Sequence, residues 1–461
     1  MDLVRHVLCD RVFDGTRLLT GPRRIDLGPD GSIIGVEEGP AALARHAGGV
    51  LDARGDTVLP GLVDAHVHLP RRGLFEATEP PSLAAVAANL RGTLAAGVTT
   101  VGDMGCAPGL IAALREHTRG HPLAGPTIRA AGPIVTAPRG YPLDWMPRLL
   151  VRTGAAAVCD GPSAARRVVA ALARGGADHV KLAIMHRSYG DAPLAALTVP
   201  VARALVEEAH VLGLRAVAHA HSVADYEVAL AAGVDALMHS SFEPLDRALV
   251  ARIRDAGIPV CPTLWVFEAV CPGAEERWDR DPTRTAGVDR AVVRSWRRFG
   301  EAWDASGDVV PPGIAGGLPK ERARQGARVA AANLRLLADA GVPIAFGDDT
   351  PYGYATLARP RLELEAMRRA GLSVERCLRA ATVEAARLLG LTDRGSIAAG
   401  QRADLLVVSG ELGEDLGALE RPRAVLVAGA LLPRAGLLGT LGTTAAVVRG
   451  LAATLRDAVR G

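Results

Sequence analysis

The rhythm of apolar positions changes twice along the 461-residue chain. Up to about residue 57 the apolar residues come in short stretches cut by turns, VLCDRVFDG, RRIDLGPDGSIIGVEE and GVLDARGDTVLP, with Asp-Gly turn signals and no helical period. That texture predicts a small β unit. From residue 58 to about 391, apolar strands alternate with Ala/Leu/Arg-rich helical runs, as in repeated βα units around a parallel sheet. Eight strand candidates stand out: LVDAHVH, GVTTVGD, TIRAAG, DHVKLAI, LRAVAHA, VDALMHS, IPVCPTL and VPIAFGDD. Eight such units predict a (β/α)8 TIM barrel of the α/β class. Beyond the helical run ERCLRAATVEAARLLGL, the stretches GSIAAGQRADLLVVSG (395–410) and AVLVAGALL (424–432) return to strands and turns. The two flanks, 1–57 and 392–461, are therefore expected to form one small β-sandwich beside the barrel of 58–391.

One connection breaks the pattern. About 77 residues separate Leu264 from Val342, far more than a barrel crossover requires. This 265–341 excursion holds Trp265, Phe267, Trp278, Trp296, Phe299 and Trp303. It reads either as an excursion packing its own aromatics or as an apolar lid over the site.

Composition narrows the partners. Lys and Arg number 53 against 50 Asp and Glu, a net charge of +3 that gives no reason to invoke nucleic acid or an anionic membrane. The opening MDLVRHVLCDRVFDG has no signal-peptide pattern and no apolar run is long enough to span a bilayer, so a cytoplasmic protein is expected. Six scattered cysteines without Cys-x-x-Cys spacing argue against a disulfide framework or a thiolate zinc site. A small-molecule substrate and a homo-oligomeric assembly complete this expectation.

The candidate chemistry begins at His66-Val67-His68. Alternation along a strand puts residues i and i+2 on one face, so both imidazoles are placed to grip one ion. Two histidines satisfied by core hydrogen bonds would look the same. The rest of the chain decides: in barrels the site lies at the C-terminal strand ends, and such residues recur there. Lys181 lies within HVKLAI, His219 ends RAVAHA, His239 ends DALMHS, and Asp348 and Asp349 end IAFGDD. Each alone is weak, since a strand-terminal Asp often caps a turn.

Together these stretches resemble the amidohydrolase superfamily, in particular its imidazolonepropionase and prolidase-like branch of metal-dependent hydrolases. The matching segments are VLPGLVDAHVH, GVTTVGDMG, DHVKLAI, AVAHAH, VDALMHSSF, CPTL, IAFGDD and GSIAAGQRADLLVV, spread over nearly the whole chain. The resemblance implies that His66 and His68 hold a first metal and His219 and His239 a second. It makes Lys181 a carboxylated bridge between the two, and Asp349 a first-metal ligand and general base. The implied ions are zinc, two per chain, or one if Lys181 is not carboxylated; the alternative for Lys181 is an ion pair with Asp103 or Asp178.

Two departures stand out. Relatives commonly read Gly-Thr-Asp or Gly-Ser-Asp where this chain has Gly347-Asp348-Asp349; alignment on Gly347 and Pro351 favours Asp349 as the ligand. Many relatives also carry Arg at the position of Gly102. His221 lies two residues past His219, where it would polarise a substrate carbonyl or replace His219 as ligand. Tyr141 and Arg139, in APRGYPLDW, are further candidates for substrate contact.

The activity implied is hydrolysis of an amide C–N bond, in an acyl amino acid, dipeptide or cyclic amide, by metal-activated hydroxide with Asp349 moving the proton. The alternatives are a mononuclear deaminase or imidazolone-type hydrolase, and a non-catalytic barrel used for assembly. Position 224, three after His221, is alanine, which lacks the His-x-x-Glu of many deaminases.

Overall fold

The computed structural model describes the chain except residues 1–2, 44–47, 71–82, 145, 147–150, 152–153, 287, 289, 311–316, 352, 414–415, 434–444 and 454–461. The chain opens with β1 (His6–Phe13), β2 (Leu18–Leu27), β3 (Ile33–Glu38) and β4 (Val50–Pro60). Its middle carries β5 (Leu62–Val67), β6 (Val98–Asp103), β7 (Thr127–Ala130), β8 (Ile134–Thr136) and β9 (Ala156–Val158). There follow β10 (His179–Ala183), β11 (Arg215–His219), β12 (Ala236–Met238) and β13 (Val260–Cys261). It closes with β14 (Leu405–Val408), β15 (Ala424–Val427) and β16 (Ala430–Leu431).

The two flanks meet in one seven-stranded sheet of order β16-β15-β14-β4-β1-β2-β3. Strand β4 sits inside it, parallel to β1 on one side and antiparallel to β14 on the other, with Val58 opposite Val407. The sheet buries its own cluster, including Val7, Ile25, Val58, Leu405 and Leu426. Through Gly61, β4 runs almost directly into β5 and its histidines.

In the middle of the chain every strand pairing among the described residues is parallel, as the alternating pattern predicts: β5-β6-β7 form one sheet and β13-β12-β11-β10-β8-β9 another. The sheets abut where the Asp178 amide donates to the Ala130 carbonyl at 2.7 Å. Seven expected strands are present, at β5, β6, β7, β10, β11, β12 and β13; the eighth, VPIAFGDD, is not a regular strand. It lies between β13 and β5 nonetheless, bridging Ile344 to Val260 and Thr350 to Val67 in parallel. The Ala345 amide donates to Val260 and the Ala65 amide to Phe346. A left-handed Asp349, φ 49°, ends regular strand geometry there. β8 and β9 were not expected from the pattern.

Parity along these strands divides the core. Val180, Leu182, Ala216, Ala218 and Leu237 face outward and pack with Leu205, Val206 and Ala209 of the helix Val199–Val211. Val63, Ala65, Val217, Ala236, Met238 and Ala345 form a second, inner cluster with Ala385 and Leu389. Among the described residues no helix is long and apolar enough to cross a membrane.

Gly102 belongs to this inner packing. A Cβ there would lie 2.7 Å from the Ala65 carbonyl oxygen and 2.7 Å from Leu389 Cδ2, so strand and helix close over the position where many relatives carry Arg. Gly102→Ala is expected to destabilise the protein by about 1–3 kcal/mol, the usual effect of overpacking. Denaturant unfolding measures it, and an unchanged midpoint would refute the tight approach.

Candidate metal centre

The same parity aims the polar residues. In β10, outward Val180 and Leu182 leave His179, Lys181 and Ala183 facing inward; in β11, Val217 and His219 do so. The register pairs Lys181 with Val217 and Ala183 with His219. Beyond β11, Ser222 caps the helix Val223–Ala232 in a capping box with Asp225. Asp225 also accepts from the His221 amide at 3.2 Å, which fixes His221 just past the strand end.

His239 departs from simple alternation. Met238 already faces inward, so an extended His239 would point away; a φ of 73° turns it back. Three buried residues around this point, His239, Thr263 and Asp349, share the left-handed conformation disfavoured for side chains with a Cβ. Such conformations cluster at functional sites because the surrounding structure must hold them.

The candidates converge on Asp349. Its Oδ1 lies 3.3 Å from His66 Nε2 and 3.1 Å from His68 Nε2, and its Oδ2 3.5 Å from His239 Nδ1. Lys181 Nζ is 3.4 Å from His66 Nε2. Asp178 is instead held by Arg115 and Arg129, and Asp103 accepts from the Leu69 and Gly105 amides. The rings of His219 and His239 are 4.5 Å apart, those of His66 and His239 4.7 Å. Among the described residues, two groups have ligand atoms within 4.8 Å of one another: His66, His68 and Asp349, and His219, His221 and His239.

Asp348 and Asp349 separate cleanly. Asp348 accepts from the Thr350 amide and hydroxyl at 3.0 and 2.6 Å, and its own amide donates to Asp64. It is a buried turn-forming residue, while Asp349 faces the histidines.

Burial sets the protonation states. It pushes His66, His219 and His239 well below the ordinary histidine value, helped at His66 by Lys181 and at His219 by His221. His221 falls to about 4 for the same reason. These imidazoles are neutral near pH 7, with a lone pair each to offer. Burial also lowers Lys181 to about 8, against the attraction of Asp349, which brings its neutral amine within reach of ordinary pH.

These residues fit a divalent cation. His219 Nε2 and Asp349 Oδ1 are buried without a hydrogen-bond partner, a costly arrangement for polar atoms unless an ion satisfies them. Nitrogen and carboxylate donors are the set that zinc accepts. His221 Nδ1 contacts the Ser240 carbonyl at 3.1 Å, so that nitrogen carries the proton and Nε2 accepts from the Tyr189 hydroxyl at 3.2 Å.

The remaining candidates divide. Tyr141 stacks on His219, with ring centroids 4.4 Å apart and planes 14° apart. Arg139 is exposed and is not among the residues lining the chamber over the histidines. Tyr189, Thr263 and Phe242, which do line it, carried no strand-end signal in the sequence. Thr263, in CPTL, contacts His239 Nδ1 through Oγ1 at 3.1 Å and was visible only as part of that quoted segment.

The long excursion packs its own aromatics and also contributes wall residues to the chamber. Trp265, Trp278, Trp296, Phe299 and Trp303 form a cluster of their own with Tyr354, and Trp265 stacks on Trp278 at 4.9 Å. The other side of the helix Leu264–Val270 turns Val266, Phe267 and Val270 into the chamber.

Residues 57–432 match the amidohydrolase family. A Mycobacterium tuberculosis protein described only as uncharacterized is 28% identical over 385 residues, covering 81% of this chain and 85% of its own length. Imidazolonepropionase from Deinococcus radiodurans is 46% identical, over 78 residues only, 17% of this chain and 20% of that protein. Among solved structures, a Xaa-Pro dipeptidase with bound methionine in its active site superposes with a TM-score of 0.75 at 24% identity, covering 93% of this chain and 99% of that one.

Proposed function

Because the chain belongs to the amidohydrolase family, enzymes that act on carbon–nitrogen bonds, we propose that it hydrolyses an amide bond in a small molecule. The observation that carries this reading is the convergence of His66, His68 and His239 on Asp349, with Asp349 Oδ1 and His219 Nε2 buried without a hydrogen-bond partner. The parallel sheets are read as one (β/α)8 barrel, residues 58–391, with 343–350 as its eighth stave. Residues 1–57 and 392–461 are read as the β-sandwich beside it.

In this proposal His66, His68 and Asp349 would hold one zinc ion and His219 and His239 another, and Lys181, if carboxylated, would supply a further oxygen ligand. Metal bound there would supply Lewis acidity and a water of near-neutral pKa. Asp349 takes the proton of the attacking water and returns it to the leaving nitrogen, which must be protonated before the C–N bond breaks. Carboxylation of Lys181 requires its neutral amine, which burial favours. His221 and Tyr189 face the substrate as a hydrogen-bonded pair, and Tyr141 covers His219.

Elemental analysis of protein produced with ample zinc tests the reading. Two ions per chain together with amide hydrolysis is the expected result. One ion would favour the mononuclear deaminase or imidazolone-type alternative, and a protein that binds none under zinc saturation would refute the metal centre.

A further inference from the structure

The side of the chamber next to His221 is walled by apolar rings held in fixed positions. We propose that this wall is a subsite for an aryl or branched alkyl group, so that the substrate is an uncharged, apolar amide. The inference rests on the amide-hydrolase reading and names its substrate class.

Phe242 and Phe267 flank His221 with ring centroids at 5.3 and 6.0 Å, and lie 5.0 Å from each other. Val266, Val270 and Leu318 continue the surface. Phe242 is fixed from behind by the helix Lys320–Asp339: a Cβ on Gly326 would lie 2.5 and 2.6 Å from its ring atoms. The ring thus rests directly on helix backbone at a position that only glycine leaves open. The Arg322 guanidinium, tied to Asp191 at 2.5 Å, covers the ring at 5.8 Å.

Phe267 is fixed by other means. Its helix begins at a left-handed Thr263, and buried Glu363 accepts from the amides of Leu264, at 3.0 Å, and Trp265. Two pinned rings meeting at an angle of 49° offer a flat or branched group a preformed surface with little ordering still to do.

Among the described residues, the polar side of the chamber offers a free amino acid end no charged partner outside the candidate metal centre. Among the described lining residues the only Lys or Arg is Lys181, buried beside His66, and the only carboxylate is Asp349. Neither is free to take the carboxylate or ammonium of a dipeptide.

The test compares kcat/KM of the zinc-loaded enzyme for N-methylacetamide, acetanilide, N-methylphenylacetamide and glycyl-proline, with benzamide binding followed by titration calorimetry. A ring on the preferred side should raise kcat/KM over N-methylacetamide by about 30-fold, the effect of burying a phenyl group. Phe242→Leu should cut that ratio by about tenfold and weaken benzamide binding in parallel. Gly326→Ala, which pushes the ring forward without touching substrate, should lower the same ratio. Preference for glycyl-proline, or ratios unmoved in both variants, would overturn the inference and leave the hydrolase reading standing. Benzamide binding that depends on Phe242, without hydrolysis of any amide, would uphold the subsite and sink the hydrolase reading.

Discussion

Replacing Asp349 with Asn is expected to lower kcat for amide hydrolysis by about 10³-fold, since a positioned general base contributes roughly 10²–10⁴ and the proposed role of Asp349 adds metal binding to this. The substitution is chosen to spare the fold. Asn keeps the shape and accepts a left-handed backbone as readily as Asp, so the φ of 49° is not disturbed. The Asp349 amide still donates to the His66 carbonyl at 2.7 Å. What is lost is a negative oxygen facing His66, His68 and His239. Asn cannot take a proton from water at neutral pH. The measurement is kcat alongside metal content and the thermal midpoint. A variant that stays folded and keeps more than a tenth of the activity would remove Asp349 from the mechanism.

Lys181→Met should carry the second-largest effect: zinc content falling from two per chain towards one, and kcat falling by about 10²-fold or more. Met fills a similar buried volume without charge, so a change in metal content reports on the nitrogen itself. The direction follows from the lysine's surroundings. With its pKa down to about 8, the neutral amine grows as pH rises through that value, and the carboxylated fraction should grow with it when bicarbonate is present. NMR with ¹³C-labelled bicarbonate reads the adduct directly. Wild-type protein with two zinc ions and no labelled carbon would refute the bridge, whatever the variant's activity.

The strand-and-helix texture exposed most of the middle of the chain, because inward and outward positions alternate strictly in β10 and β11 and leave a readable pattern. It also exposed His66, His68, Lys181 and His219, whose direction follows from parity alone. His239 and Asp349 were found as strand-end residues, but what turns His239 inward is a left-handed residue that no hydrophobic pattern encodes. The segment VPIAFGDD reads as a strand from its apolar start; its backbone pairs on both sides yet breaks regular geometry where it must present Asp349. Tyr189 and Phe242 stayed hidden because their positions depend on contacts between distant segments, Tyr189 with His221 and Phe242 with Gly326. Neither contact leaves a local signature. Arg139 stands in a loop after the third expected strand, and the structure exposes it outside the chamber lining.

The pairing of β4 with β14 bears on how the protein is made. Strand β4 leads within two residues into the strand carrying His66 and His68, yet its partner on one edge is residues 405–408, synthesised nearly 350 positions later. A ribosome adding about 5–20 residues each second leaves that edge unpaired for roughly 20–70 seconds. During translation the histidine-bearing strand therefore hangs from a half-built sheet, and Asp349 itself is also late. On the proposed reading, metal acquisition becomes an event of the nearly finished chain, so an expressing cell short of metal at that moment should yield folded, empty protein that later loading restores.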